Sequence, residues 1–222
     1  MKCPARYRHE VLEGLSALAE KSAYLRFHGC VRQVLVWMGD KACAGETATA
    51  REAVAYLDDV WRDRGPRGGF EAVYFAEARR MVSAAAALVD AGHRPVERVL
   101  SVVVASQTVV VRPDRVLEAP DGSIVIRRFR TGRRSKSEEE KPIWALLAAA
   151  GEAAFPGRVV HLQAFYPAAA EIVPIAPERD GTELAPYADA LAGVARGEFA
   201  PVTSRDCPTC QFYFICTAED SF

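Results

Sequence analysis

The sequence predicts an α/β protein with a helical layer first, a sheet core next and a cysteine-rich loop at the end. Apolar residues recur at helical spacing through much of residues 1–92. β-branched residues concentrate in three segments within residues 96–131, as they do in strands. Three cysteines fall within residues 207–216. Because half of its 222 residues are hydrophobic, the chain is long enough to bury a core, and we expect residues 1–222 to form a single domain.

The N-terminal part is expected to be mainly helical. The apolar pattern predicts two helices within residues 4–39, separated by a break near Gly29. Thr47 or Thr49 is suited to cap a third helix, because a threonine hydroxyl accepts a hydrogen bond from a free backbone N–H at a helix start. A fourth helix is predicted over residues 70–91.

The middle part, residues 93–181, is predicted to hold the sheet. Strands are expected over residues 96–104, 108–117 and 124–131, where β-branched side chains dominate. The Pro-Asp-Gly sequence at 120–122 predicts a tight hairpin turn between the second and third of these strands.

Helices and strands alternate in the rest of the chain. The pattern predicts a helix over residues 142–154, a strand over 159–166 and a short strand near Ile172. Residues 182–222 are expected to form a C-terminal helix, at about 183–196, and the cysteine loop.

Composition limits the classes of partner. The 28 basic and 29 acidic side chains nearly cancel, so a nucleic-acid surface would have to be a local patch. No apolar stretch approaches the roughly 20 residues needed to span a bilayer, and nothing near the N-terminus resembles a signal peptide. We therefore expect a cytoplasmic protein without a membrane partner, in which thiols stay reduced and bind metal rather than form disulfides.

Four cysteines form a candidate metal site. Cys207, Cys210 and Cys216 are close enough in sequence to hold three corners of a cluster, and a fourth ligand must then come from elsewhere. Cys3 lies at the opposite end of the chain. By spacing alone, the alternatives are a zinc site with the same ligands or unliganded, buried thiols.

The context of these cysteines resembles a known family. Residues 197–201 read Gly-Glu-Phe-Ala-Pro, residues 207–212 read Cys-Pro-Thr-Cys-Gln-Phe, and Cys3 begins a Cys-Pro-x-x-Tyr sequence. This pattern is similar to that of the iron-sulfur PD-(D/E)xK nucleases of the RecB and AddB type. The family also includes the nuclease domains of UvrD-like helicases and the CRISPR-adaptation exonucleases.

The resemblance covers nearly the whole chain and carries specific expectations. It implies a restriction-endonuclease-like mixed sheet flanked by helices, and a 4Fe-4S cluster on Cys3, Cys207, Cys210 and Cys216. It also implies DNA as a partner, either single-stranded or at a duplex end, and work beside a UvrD-like helicase or another nuclease subunit in repair, recombination or defence. Cys30 and Cys43 remain outside this pattern; we expect them to be structural thiols, with Cys30 as a reserve ligand.

The active-site positions of the family are only partly retained. Family members hold Mg²⁺ or Mn²⁺ with an Asp on one strand and an acid on the next, followed two residues later by a Lys. Aligned by this resemblance, Asp114 keeps the first acid. Arg128 replaces the second acid, Arg130 replaces the Lys, and Arg32 replaces the family His.

These replacements predict a pseudonuclease. One carboxylate among three permanent cations disfavours a divalent metal, and arginine is no base near neutral pH. Arg128 is expected to pair with Asp114 in the place of the metal. Retained cleavage would require Glu97 or Glu118 to enter the site, or His28 to take part from one helical turn away.

Basic residues near these strands form a candidate DNA surface. Such a cluster suits phosphate contacts, which make binding salt-dependent. The alternative is a solvated loop neutralised by the glutamates at 138–140. The candidates for DNA binding are Arg112, Arg115, Arg127, Arg128, Arg130, Arg133, Arg134 and Lys136.

Three functions fit these patterns. The favoured interpretation is a non-catalytic, DNA-binding nuclease domain with a 4Fe-4S cluster. The second is an active Mg²⁺- or Mn²⁺-dependent DNA exonuclease. The third is an iron-sulfur scaffold that binds only protein partners.

Overall fold

The computed structural model describes residues 3–18, 22–86, 92–96, 99–132, 134–204 and 207–216. The chain divides into two compact units. The smaller unit, unit 1, combines both ends of the chain, Met1–Glu20 and Leu184–Phe222, with the segment Val103–Gln107. Unit 2 comprises Lys21–Val102 and Thr108–Glu183.

Helices occupy both ends of the chain and flank the strands. Unit 1 begins with the short helix α1, Pro4–Tyr7, which continues into a π-helical turn over Arg8–Leu12 and a 3₁₀ turn over Leu15–Leu18. The longer helices are α2 (Ala23–Cys43), α3 (Ala50–Arg64), α4 (Glu71–Ala85), α5 (Pro142–Ala154) and α6 (Ala185–Ala195). None of the helices among the described residues is long and apolar enough to cross a membrane.

Helix α2 differs from the sequence expectation. The break predicted near Gly29 is wrong, because α2 runs without interruption from Ala23 to Cys43. Gly29 costs the helix some conformational entropy, but packing of the apolar face outweighs that cost. Phe27, Val31 and Val34 on this face are all buried.

The three helices α2, α3 and α4 pack together as the predicted helical layer. Their shared core includes Leu57 and Val82, both fully buried, and it extends to Phe165 of a sheet strand. Thr49 caps α3 with a complete capping box: its hydroxyl accepts from the Glu52 backbone N–H, and the Glu52 carboxylate accepts from the Thr49 backbone N–H at 2.8 Å. Of the two threonines proposed as caps, Thr49 is therefore confirmed.

A mixed sheet of five strands forms the centre of unit 2, and two more described strands form a separate sheet. The strand bounds are β1 Arg94–Pro95, β2 Leu100–Val104, β3 Gln107–Val111, β4 Arg115–Glu118, β5 Ile124–Phe129, β6 Val160–Tyr166 and β7 Glu171–Ile175. The spatial order of the larger sheet is β1-β4-β5-β6-β7, with β5 and β6 parallel and the other neighbours antiparallel. β2 and β3 form the two-stranded sheet.

The strand predicted over 108–117 is two strands in the structure. β3 ends at Val111 and β4 begins at Arg115, so Asp114 lies in the bend between them. The Pro-Asp-Gly turn between β4 and β5 is confirmed, with Gly122 at a positive φ of 84°. The break matters because it places Asp114 just before the first residue of β4, next to the last residues of β5.

Helices cover the two faces of this sheet. Arg127 and Phe129 of β5 line a small cavity together with Leu35 and Met38 of α2. On the opposite face, α5 approaches so closely that a Cβ added to Gly151 would lie 2.6 Å from Ile126 Cδ1. The prediction of a sheet flanked by helices is confirmed, and the site residues lie where β4 begins and β5 ends.

Candidate active site and cysteine pocket

Asp114, the acid that the sequence resemblance aligns with the family's metal site, is buried just before β4. Its side chain is 7% exposed, and its Oδ2 accepts a hydrogen bond of 2.9 Å from the Phe129 backbone N–H. This bond links the bend before β4 to the end of β5. The carboxylate is therefore fixed beside the strand that carries Arg128.

An arginine from α2 supplies the partner of this acid. Arg32 Nε forms an ion pair with Asp114 Oδ1, while the Arg32 side chain remains 54% exposed. The expectation that Arg128 would form this pair is corrected, since the ion pair with the Asp114 carboxylate is made by Arg32 of α2. An exposed guanidinium on a long side chain can cover a buried carboxylate with little loss of its own hydration.

Arg128 and Arg130 complete the charge around Asp114. The Arg128 guanidinium lies 6.0 Å from the centre of the Trp144 ring on α5. Burial lowers the pKa of Arg128, although the charge of Asp114 acts in the opposite direction. Burial likewise raises the pKa of Asp114, against the Phe129 N–H and the charges of Arg32, Arg128 and Arg130.

The structure adds a second acid, Glu138, which the sequence did not single out. Glu138 is 4% exposed, and its carboxylate accepts hydrogen bonds from Lys141 Nζ and from Trp144 Nε1, the latter at 3.1 Å. Arg130 Nε forms an ion pair with the same carboxylate at 3.1 Å. Burial would raise the pKa of Glu138, but Lys141 and Arg130 outweigh burial and hold that pKa below its usual value. Nothing in the Glu-Glu-Glu run at 138–140 distinguishes the buried residue from its exposed neighbours.

Two predicted DNA-binding residues are structural instead. Arg115 is 2% exposed, and its guanidinium binds the Val36 carbonyl and the Asp40 carboxylate on α2. Arg127 is 6% exposed and donates two hydrogen bonds to Gln163 on β6, at 3.0 and 2.9 Å. The assignment of Arg115 and Arg127 to DNA is corrected, because strand alternation points both of them at the α2 face of the sheet.

The other basic candidates differ in accessibility. Arg112, Arg134 and Lys136 are exposed, whereas Arg128 and Arg130 are half-buried. Arg134 forms an exposed ion pair with Glu171 at 3.2 Å. Arg133, another predicted DNA contact, lies outside the described residues.

The residues that could have restored a nuclease site do not converge on Asp114. Glu118 lies at the far end of β4 and pairs with Arg94 and Arg158. His28 packs against the rings of Tyr24 and Phe27, and burial lowers the pKa of its imidazole. Glu97 lies outside the described residues.

The four candidate cysteine ligands line one pocket of unit 1. Cys3 comes from the N-terminus and Cys207, Cys210 and Cys216 from the C-terminal loop, and Arg6, His9 and Phe212 also line the pocket. All four thiols are free, and the Ser204 backbone N–H donates to Cys207 Sγ at 3.2 Å. Within the described ranges, no three His, Cys, Asp or Glu side chains lie close enough together to hold a metal ion.

The two remaining cysteines lie in unit 2. Cys30 is 1% exposed within the helical core, and burial raises the pKa of its thiol. Cys43 Sγ accepts from Arg115 Nη2 at 3.2 Å. The expected structural role is confirmed for Cys30, which packs as a small hydrophobic side chain.

A mixed five-stranded sheet between helices, with an acid just before β4 that binds the end of β5, places this protein in the restriction-endonuclease-like class of α/β folds. A family model of the PD-(D/E)XK nuclease superfamily matches residues 1–217. The chain belongs to this superfamily. A search of curated proteins gave no match.

Proposed function

We propose that this chain is a catalytically degenerate, RecB-like nuclease domain that binds DNA without cutting it and carries a 4Fe-4S cluster. The observation that carries the proposal is the set of arginines around Asp114. Arg32 pairs with the carboxylate, and Arg128 and Arg130 lie close enough to act on its pKa. Three positive charges around one carboxylate disfavour the binding of a divalent metal ion.

Repulsion between a divalent cation and the arginines around Asp114 supports the loss of metal binding. At an effective dielectric constant of about 20, two unit charges about 4 Å apart repel by about 4 kcal/mol, and a divalent cation doubles that figure. Asp114 offers one carboxylate, and its Oδ1 is already paired with Arg32. The second acid, Glu138, is neutralised by Arg130 and Lys141. Such a site favours a phosphate over Mg²⁺, and the described residues around Asp114 offer it no base that could generate hydroxide.

DNA binding would rest on the accessible cations. Arg112, Arg134 and Lys136 are exposed, and the half-buried Arg128 and Arg130 precede Arg134 and Lys136 closely in sequence. A local patch of this kind supports sequence-independent binding to phosphates even though the whole chain is nearly neutral. Work beside a UvrD-like helicase, in repair, recombination or defence, belongs to the same proposal.

The cysteine pocket supports the cluster part of the proposal. Four thiolates are the ligand number of a 4Fe-4S cluster, and Cys3 and the three C-terminal cysteines line one pocket. The backbone N–H that donates to Cys207 Sγ would stabilise a thiolate there. The cluster would tie the two chain ends together within unit 1.

A nuclease assay tests the loss of cleavage. Anaerobically purified protein is incubated with Mg²⁺ or Mn²⁺ and labelled single-stranded or duplex DNA, and we expect no products. Asp114→Ala and, as a matched control, the exposed Asp59→Ala should both be equally inactive. Cleavage that Asp114→Ala abolishes and Asp59→Ala leaves intact would establish an active exonuclease instead.

Salt-dependent binding tests the DNA role. Replacing Arg112, Arg134 and Lys136 with Ala should reduce the slope of log affinity against log salt by about 2 to 3, roughly one unit for each lost phosphate contact. The control replaces Arg51, Arg62 and Arg79, which are exposed on α3 and α4. Equal slopes in the two variants would reject this patch and favour the scaffold function.

A further inference from the structure

One side of α2 carries an exposed aromatic ring near the arginines around Asp114. Tyr24, His28 and Arg32 follow one another at intervals of four residues, so they lie on the same side of this helix. Arg32 is the residue that pairs with Asp114. Eight residues separate it from Tyr24, which is about 12 Å along the helix axis at 1.5 Å per residue. Tyr24 therefore lies about two helical turns from a site that favours a phosphate.

The loop after β5 approaches the same tyrosine. A Cβ added to Gly132 would lie 3.9 Å from Tyr24 Oη, so the backbone of this loop passes beside the tyrosine hydroxyl. Gly132 lies between the half-buried Arg130 and the exposed Arg134 in the sequence. Tyr24 thus borders the basic loop as well as the arginine of its own helix.

The Tyr24 ring is ordered by its neighbours and still open to solvent. It packs edge-to-face against His28, with the ring centroids 3.9 Å apart and the planes at 79°. In either form of an edge-to-face contact, at least one face of the tyrosine ring does not contact His28, and 54% of Tyr24 is exposed. His28 packs in turn on Phe27, with 4.8 Å between the ring centroids. A ring that is already ordered loses little side-chain entropy when a ligand stacks on it.

We propose that Tyr24 is a base-stacking residue: an unpaired DNA base lies on its free face while neighbouring phosphates meet Arg32 and the loop after β5. Every base has a π-face, so one aromatic ring beside a positively charged groove can stack on any of them. The surrounding arginines favour a ligand that combines planar groups with regularly spaced negative charges, as a nucleic-acid strand does. The inference rests on the proposed function and adds to it the residue that contacts the bases.

Fluorescence anisotropy with two labelled oligonucleotides tests this contact on the whole chain. One is an oligothymidylate, and the other has the same length and phosphates but abasic sugars. Tyr24→Ala should weaken oligothymidylate binding about tenfold, within the range for one stacked base, and should leave binding of the abasic strand unchanged. Tyr24→Phe keeps the ring and should bind both strands like wild type.

Leu25→Ala is the matched control. Leu25 lies in the same turn of α2 and is 57% exposed, but it has no ring, so its replacement should leave both affinities unchanged. Melting curves establish that each variant is folded before binding is compared.

The two oligonucleotides separate this inference from the proposed function. If Tyr24→Ala weakened binding of both strands equally, or of neither, the stacking contact would be rejected while DNA binding itself remained. A Tyr24→Phe variant as weak as Tyr24→Ala would also reject stacking, because the ring alone would then be insufficient. A wild type that bound neither strand would remove the proposed DNA function.

Discussion

Asp114 is a buried acid surrounded by arginines. Its carboxylate is buried, accepts the Phe129 N–H and pairs with Arg32. A buried carboxylate needs a compensating positive charge, and a guanidinium supplies it as one permanent charge with directed hydrogen bonds. Arg32 therefore compensates the buried charge of Asp114, and under the proposed function it takes the place of a metal ion.

Glu138 gives a pH-dependent prediction at the same scale. Its folded-state pKa lies below the ordinary value of 4.5, so its stabilising contribution is present above that value and disappears as the pH falls through the folded pKa. Glu138→Gln should lower the free energy of unfolding at pH 7 by about 2 kcal/mol, because Arg130 and Lys141 lose a charged acceptor. Urea unfolding at pH 7 and at a series of pH values that falls well below 4.5 measures this difference.

The low-pH measurement is the critical part of that test. The difference between wild type and Glu138→Gln should nearly disappear once the wild-type carboxyl is protonated. The exposed neighbour Glu140, changed to Gln, should behave like wild type at both values. If Glu138→Gln lowered the free energy of unfolding equally at high and low pH, the contribution of Glu138 would come from its packing rather than from its charge.

Arg115 illustrates how a single residue depends on its neighbours. A Cβ added to Gly39 would lie 2.9 Å from the Arg115 guanidinium carbon, so α2 has a glycine where the arginine crosses it. The same guanidinium binds Asp40 and Cys43 on that helix. Arg115 thus joins the sheet to α2 and is unavailable to a ligand.

Within β5, strand geometry separates arginines that are adjacent in sequence. Side chains alternate between faces, so Arg127 turns to Gln163 on the α2 face while Arg128 turns to Trp144 on the α5 face. One basic run consequently supplies one structural residue and one site residue. The loop after β5 then carries the accessible cations.

The capping box of α3 gives a prediction for an element. Thr49→Ala removes the hydroxyl that accepts from the Glu52 N–H, and it should lower the free energy of unfolding by about 1 kcal/mol. Thr47→Ala is the matched control, since Thr47 is an exposed residue just before the cap, and its change should stay within about 0.5 kcal/mol. Chemical denaturation measures both, and equal effects would contradict the assigned cap.

For the whole molecule, the main feature is that unit 1 draws on both ends of the chain. In unit 1, Cys3 and the C-terminal cysteines line a common pocket although about 200 residues separate them in sequence. A link between such distant residues restricts the unfolded chain strongly. In the simplest model, closing a loop of that length contributes about 4 to 5 kcal/mol.

Loss of the proposed cluster should therefore destabilise the protein. Cys210→Ser, purified anaerobically, should lack the brown colour and the iron of the wild type and should unfold at a lower denaturant concentration. Cys43→Ser, which changes a cysteine outside the pocket, should keep the colour. A colourless wild type with stoichiometric zinc would replace the iron-sulfur assignment with a zinc site.

Local patterns in the sequence determined most of the elements of this protein. Helix α5, the β4–β5 turn and the strands β6 and β7 follow from periodicity and turn residues that act over a few positions. The break at Gly29 could not be excluded in the same way, because the packing of α2 against α3 and α4 overrides a local preference.

Only the tertiary structure decided which charged residues meet. Arg32 lies 82 positions before Asp114 in the sequence, yet their side chains pair, and Glu138 is buried while Glu139 and Glu140 are exposed. Charge interactions depend on distance and burial in three dimensions, and neither quantity is encoded in a run of like residues. The sequence therefore shows which charged residues are present near the strands, whereas the packing of the helices on the sheet determines which of them pair.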